Sequence, residues 1–391
     1  MSIKRSTLLF TLIFVCIPVA KAFELQSNLV SSNLPAPEFD AKAWVLMEMN
    51  SGTVVTGHNA DQPMPPASIT KLMMNYVVFQ RLRDGDISLS SQVPISEDAW
   101  RAEGSRMFAD VNTRIELAHL LKSTIIQSGN DAAIALAEYA GGTEYAFAQL
   151  MNQAAAELGL QQSHFENSSG LPAEGHAMSA HDIARLAAAI IREFPEFYSW
   201  YSEKEYTHNN ITQKNRNRLL WKDDSVDGLK TGHTEAAGYC LVASAQRGSQ
   251  RWIAVVLGSE SERTREKQVL ALLNYGFAAY DAVRVSVSDE GAVSAKVYGG
   301  LADSLEMRAA SNIDLVVPKN RQKEVTVALQ YSPYFEAPII ADQSVGLASV
   351  QLGGTTLAEV PLVAATQVDE AGWWKQLVDS IKLSIHQMMA D

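Results

Sequence analysis

Gly228-Leu229-Lys230-Thr231-Gly232-His233-Thr234, Tyr239-Cys240-Leu241-Val242-Ala243-Ser244-Ala245 and Trp252-Ile253-Ala254-Val255-Val256-Leu257 follow one another with only short turn segments between them. They read as three successive strands, with Gly-His-Thr and Arg247-Gly248-Ser249 as turn material at or between them. The helical stretch Arg263 to Phe277 comes next and is expected to pack on that sheet. Upstream, Trp44 to Met49, a turn at Asn50-Ser51-Gly52 and Thr53-Val54-Val55 read as a hairpin. Pro63, Pro65 and Pro66 punctuate the approach to a helix that begins near Ser68 and runs through Tyr76-Val77-Val78-Phe79. Helical patterns follow at Arg114 to Ser128, Asp131 to Tyr139, Glu144 to Leu158 and Ala180 to Glu193. Strands, then helices, then strands and a helix make an α+β plan, an antiparallel sheet flanked by helices.

A chain of 391 residues accommodates more than one core. The hydrophobic share of 47% and charged share of 19% are those of a globular protein. A net charge of -12 without a Lys/Arg block argues against a nucleic-acid partner. Lys4 and Arg5, the apolar run Leu8 to Val19 and Ala20-Lys21-Ala22 have the layout of a signal peptide spanning residues 1–22. Cleavage there removes Cys16 and leaves Cys240 alone, as a small buried residue on a strand. A first, α+β domain is then expected over 23–279. Beyond it the texture changes to short alternating runs: Val283 to Val287, Ala295 to Tyr298, Ile313 to Val317, Val325 to Leu329 and Val345 to Leu352. These predict a small all-β domain over 280–365.

Three short motifs carry chemistry: Ser68-Ile69-Thr70-Lys71, Ser128-Gly129-Asn130 and Lys230-Thr231-Gly232. A serine hydroxyl is a poor nucleophile without an adjacent base. Lys71, one turn after Ser68 on the same face, can be that base if burial and neighbouring cations strip its proton. Ser128 and Asn130 flank a glycine between two helices and can aim a hydroxyl and an amide into one cleft. Lys230 and Thr231 offer a cation and a hydroxyl for a carboxylate, while Gly232 permits close approach of a substrate backbone. Each motif alone is a weak signal; the three in this order are a strong one.

With these motifs, and with Ile126-Gln127-Ser128-Gly129-Asn130-Asp131-Ala132, Asn215-Arg216-Asn217-Arg218-Leu219-Leu220-Trp221 and Gly228 to Thr234, the chain resembles the low-molecular-mass penicillin-binding proteins. The match is to D-Ala-D-Ala carboxypeptidases of the penicillin-binding protein 5 and 6 type, serine peptidase family S11. His58, His164 and His176 lack metal-ligand spacing and partners, so no metal is expected, and no cofactor. The resemblance implies a β-lactamase/transpeptidase-like catalytic fold. It implies removal of the terminal D-alanine from peptidoglycan stem peptides, with β-lactams as covalent inhibitors. By the same resemblance Ser68 is the acylated nucleophile, Lys71 its base and Ser128 a proton relay to the leaving D-alanine. Asn130 holds the substrate amide, and Lys230 with Thr231 supports the terminal carboxylate. The backbone N–H groups of Ser68 and His233 form the oxyanion hole, and Arg251 matches the family's carboxylate-binding arginine. Ser105 falls in a mobile loop near the cleft.

Two other readings compete. A class A β-lactamase shares Ser-x-x-Lys and Lys-Thr-Gly, but Glu166-Asn167 lacks the Glu-x-x-Leu-Asn pattern of those enzymes. A non-catalytic wall-binding scaffold would not need Ser68, Lys71, Ser128, Asn130 and Lys230 together. Finally, residues 366–391 are expected to form an amphipathic anchor on the outer face of the cytoplasmic membrane, making the enzyme periplasmic. At ~100° per residue, Trp374, Leu377, Val378, Ile381, Ile385, Met388 and Met389 fall within about 120°. Lys375, Lys382 and His386 flank that stripe, where they are expected to meet lipid phosphates.

Overall fold

The computed structural model describes residues 29–286 and 293–390. The expected signal peptide, Val287 and the side chain of Met389 lie outside the described residues. A five-stranded antiparallel sheet organises the N-terminal part, in the spatial order Val54–His58, Ala43–Glu48, Gln250–Ser259, Gly238–Arg247 and Val226–Thr234. Strand alternation decides how it is covered. Val45, Met47, Val242, Ile253, Val255 and Leu257 point to one side and share a core with helices Lys71–Arg83 and Ala180–Glu193. Leu46, Leu241, Ala243, Trp252, Ala254 and Val256 point to the other and pack on Val269, Leu272 and Leu273 of helix Glu262–Ala279. Each Val, Leu, Ile or Met among them, taken fully out of water, stabilises the fold by roughly 1.5–3 kcal/mol. Gly276 lets that helix approach, since a Cβ there would lie 2.7 Å from the Trp252 ring.

Helix Ala180–Glu193 follows its sequence signals closely: Ser179 Oγ accepts the Asp182 N–H as N-cap, and Arg192 stands in the last turn. The expected helix from Arg114 is shorter at both ends. Residues Arg114–Glu116 are extended and pair with Gln92–Pro94, so the helix runs only from Leu117 to Ile126. A hairpin, Glu205–His208 with Ile211–Lys214, lies where periodicity predicts no element. Its turn is Asn209-Asn210, both at positive φ, a two-residue hairpin device that asparagine tolerates.

From Tyr280 the chain is mostly strands. Tyr280–Val285 pairs with Ile313–Pro318, and a separate six-stranded sheet carries Val293–Tyr298, Ser304–Ala309, Val325–Tyr331, Tyr334–Glu336, Ser344–Leu352 and Thr355–Ala364. Val297, Leu305, Leu315, Val350, Leu357 and Leu362 form a core of its own. The terminal helix Trp373–Ala390 rests on this part through the face that carries Lys375, Asp379 and His386, whose ring meets Tyr334, centroids 5.8 Å apart, in place of the expected lipid phosphates. Lys375 Nζ donates to Gly300 O and to Asp303, both at 2.7 Å, and buried Asp379 accepts the Gly299 N–H at 3.1 Å. The expectation that Lys375 faces lipid is therefore corrected, because its ammonium is already occupied. The apolar stripe points outward, with Trp373 68%, Trp374 64%, Ile381 55% and Met388 74% exposed.

Candidate active site

The turn Ala67–Thr70 is a 3-10 turn that runs directly into the helix Lys71–Arg83. This places Lys71 Nζ 3.1 Å from Ser68 Oγ. The same nitrogen lies 2.7 Å from Asn130 Oδ1 and 2.6 Å from Ser169 O. Lys71 is wholly buried, and that burial lowers its pKa to about 7 against the opposing fields of Asp131 and Glu144. As an ammonium Lys71 can donate to all three oxygens; on losing a proton it still serves two of them. In that neutral form two N–H groups reach Asn130 Oδ1 and Ser169 O, and the lone pair is left for the proton of the Ser68 hydroxyl.

Ser128 and Asn130 enter between helices Leu117–Ile126 and Asn130–Gly141. Ser128 itself takes the left-handed conformation, φ 69°, rather than the glycine beside it. Gly129 is needed for space, since a Cβ there would sit 2.3 Å from Ser123 Oγ. The strained serine turns its hydroxyl to Lys230 Nζ at 2.9 Å. Asn130 does not cap its helix with its side chain: Nδ2 donates to Glu103 O at 2.6 Å while Oδ1 accepts from Lys71. Asp131 ties down the loop on the other side by accepting the Met107 and Ala109 N–H groups.

Lys230 lies on the edge strand and is as buried as Lys71. Burial first, then the nearby cations Lys71, Arg216 and Arg265, push its pKa well below the usual lysine value. Thr231 and His233 line the cleft with Ser68, Ser128 and Asn130; its volume is about 280 Å³. Gly232 has a further use that the sequence does not reveal: a Cβ would lie 2.7 Å from Pro66 O, so glycine lets the edge strand press against the Ser68 turn. The His233 ring packs on Tyr239, centroids 4.1 Å apart.

Arg251 is the one expected site residue that the fold keeps away. The strand register sets Gln246 opposite Arg251, whereas Lys230 is level with Val242 and Val255. Arg251 is therefore four residues along its strand from the lysine row, about 13 Å. Its guanidinium bonds Asp227 at 2.8 Å and Ser244 Oγ at 2.7 Å, and does not line the cleft. The arginines that do line it are Arg216 and Arg265. Arg265 is committed to Gly232 O, Cys240 O and Glu262. Arg216 has a neutral side-chain partner, Ser105 Oγ at 2.6 Å, and its backbone N–H holds Ile126 O beside the Ser128 turn. Arg265 had a faint sequence signal, a cation near the start of a helix where the dipole disfavours it. Glu166 pairs with His164 at 2.8 Å and does not line the cleft; the glutamate that does, Glu262, is paired with Arg265 at 3.1 Å.

Comparison with known proteins identifies the family. The D-alanyl-D-alanine carboxypeptidase family, Peptidase_S11, matches residues 30–261, and the C-terminal domain of penicillin-binding protein 5 matches residues 280–370. D-alanyl-D-alanine carboxypeptidase DacC of Escherichia coli (strain K12) is 38% identical over 383 residues, 96% of this chain and 94% of that one. The crystal structure of penicillin-binding protein 5 from Haemophilus influenzae superposes with a TM-score of 0.82 at 38% identity, covering 86% of this chain and 100% of that one. Penicillin-binding protein D2 from Listeria monocytogenes, in its ampicillin-bound form, gives a TM-score of 0.58 at 28% identity over 62% of this chain and 100% of that one. The chain belongs to the D-alanyl-D-alanine carboxypeptidase family.

Proposed function

We propose that this serine-type D-Ala-D-Ala carboxypeptidase works through a Ser68 acyl-enzyme. The observation that carries the reading is the buried Lys71 amine, its pKa lowered to about 7, 3.1 Å from Ser68 Oγ. Ser68 Oγ attacks the carbonyl of the penultimate D-alanine as its proton passes to Lys71 Nζ. The backbone N–H groups of Ser68 and His233 receive the developing oxyanion. The C–N bond then breaks, and a proton delivered through Ser128 leaves with the terminal D-alanine. Water hydrolyses the ester and restores Ser68. Asn130 aligns the substrate amide, while Lys230 and Thr231 face the terminal carboxylate across Gly232. β-Lactams enter the same route and stop at the ester. Release of D-alanine from a soluble pentapeptide tests the reading directly; no release by the folded protein contradicts it.

Arg216 takes the carboxylate role that sequence reasoning gave to Arg251. It lies at the Ser128 and Lys230 end, where the leaving D-alanine emerges, and its side-chain partner there carries no charge. A charge-assisted hydrogen bond contributes roughly 1.5–3 kcal/mol. Arg216→Ala is therefore expected to lower kcat/KM by about tenfold to a hundredfold. Arg251→Ala should leave kcat/KM within about twofold and lower Tm by a few degrees, because it removes the cation that Asp227 and Ser244 share. Steady-state kinetics and a melting curve on both variants check the assignment. A kinetic loss in Arg251→Ala with none in Arg216→Ala would reverse it.

The helix Trp373–Ala390 anchors the enzyme on the outer face of the cytoplasmic membrane, in the periplasm. Support comes from its docking: the polar face is satisfied by Gly299, Gly300 and Asp303, and the exposed apolar stripe begins with a Trp pair suited to the headgroup level. Among the described residues, no helix is long and apolar enough to cross a membrane. The mature chain should sediment with vesicles containing anionic lipid, and a chain truncated after Val368 should not, with equal activity on a soluble pentapeptide. Equal partitioning of the two forms would rule the anchor out.

A further inference from the structure

We infer that a second cavity beside the cleft is a subsite for the residue preceding D-Ala-D-Ala, and that Glu174 there selects a side chain ending in an amine. The inference rests on the acyl-enzyme reading above. Ser128, Thr231 and Arg216 mark the end of the cleft where D-alanine leaves, so the acyl part of the substrate extends toward the opposite wall. That wall is Gly170, Leu171 and Thr234, which also line a cavity of about 320 Å³. The two spaces therefore adjoin across the Ser68 turn. The partition between them is stiff, because Gly170, at φ 82°, touches the turn so closely that a Cβ would lie 1.9 Å from Ala67 O.

The chemistry of the second cavity is uneven. Pro65, Pro66, Leu171, Pro172 and Ala236 make its walls apolar. Glu174 is its one carboxylate. Among the described residues Glu174 has no ion-pair or hydrogen-bond partner. His176, also on the wall, offers no competing charge. Its Nδ1 accepts the Glu166 N–H, its Nε2–H donates to Thr70 Oγ1 at 2.8 Å, and burial lowers its pKa to about 4. An aliphatic stem against prolines with a carboxylate at the rim fits a long side chain with a terminal ammonium. A neutral chain of equal length would fill the walls and leave the carboxylate unused.

The test uses the full mature chain and three acetylated peptides, X-D-Ala-D-Ala, in which X is L-lysine, Nε-acetyl-L-lysine or L-norleucine. The wild type is expected to show kcat/KM about threefold to tenfold higher for the lysyl peptide than for the other two, an effect that shrinks with added salt. In Glu174→Gln the lysyl advantage should disappear while the norleucyl value stays unchanged. In Glu174→Lys the order should reverse. Equal wild-type rates on all three peptides, or a lysyl preference that survives Glu174→Gln, would overturn the subsite and leave the acyl-enzyme reading intact. Failure to release D-alanine from any of the three would instead overturn that reading.

Discussion

Ser68→Ala is expected to abolish D-alanine release and covalent labelling by a fluorescent penicillin together, with a rate loss on the order of 10^4 or more. The nucleophile and its base act as a unit, so no other hydroxyl in the cleft can replace it. Ser128 is turned toward Lys230 rather than Lys71 and lies on the opposite wall. The fold should survive, since Ser68 is only half-buried in its turn and its side chain bonds Lys71 alone. A melting curve within a few degrees of wild type, with both activities gone, is the expected pair of results. Retained labelling in Ser68→Ala would refute the mechanism.

The second large effect belongs to Lys71. Lys71→Met keeps the volume of the buried side chain and removes the base, and it should slow acylation by about 10^2- to 10^4-fold. The pH profile gives the sign. Lys71 acts only when neutral, and its pKa in the fold is about 7. Acylation by a penicillin should thus rise about tenfold per pH unit up to that value and flatten above it. An unperturbed lysine would place the bend more than three units higher, near 10.4. Stopped-flow labelling between pH 5 and 9 distinguishes the two. A rate still climbing at pH 9, or a limb near 7 that persists in Lys71→Met, would show that another group supplies the base.

Much of this architecture was legible in the sequence because two periodicities carry it. The runs Tyr239 to Ala245 and Trp252 to Leu257 are apolar on alternate faces and became the two central strands of the N-terminal sheet's C-terminal hairpin, each buried on both sides. Helix Ala180–Glu193 was bracketed by its own cap and charges. The Ser-x-x-Lys spacing fixed the Ser68–Lys71 contact, since i and i+3 meet on one turn whatever the rest of the chain does. What stayed hidden depends on register and on packing between distant segments. Arg251 sits on a correctly expected strand, yet only the pairing of Gln246 with Arg251 reveals that it is level with the far end of the sheet. Arg216 was in plain view inside a motif, but its place beside the Ser128 turn comes from one backbone bond to Ile126, which no local pattern announces. Lys375 looked like a lipid-facing cation until the fold supplied Asp303 and Gly300 O. Gly232 was expected to admit a substrate backbone; the structure gives the glycine a different use, since a Cβ there would meet Pro66 O of the Ser68 turn.

The central claim is that Ser68 carries the acyl group. Mass spectrometry of the intact mature protein after brief exposure to benzylpenicillin, followed by proteolysis and mapping of the adduct, tests it most directly. The account predicts one penicilloyl group per chain, on the peptide that contains Ser68, and none on the peptide that contains Ser128. An adduct on any other residue, or D-alanine release by a protein that penicillin neither modifies nor inhibits, would contradict it.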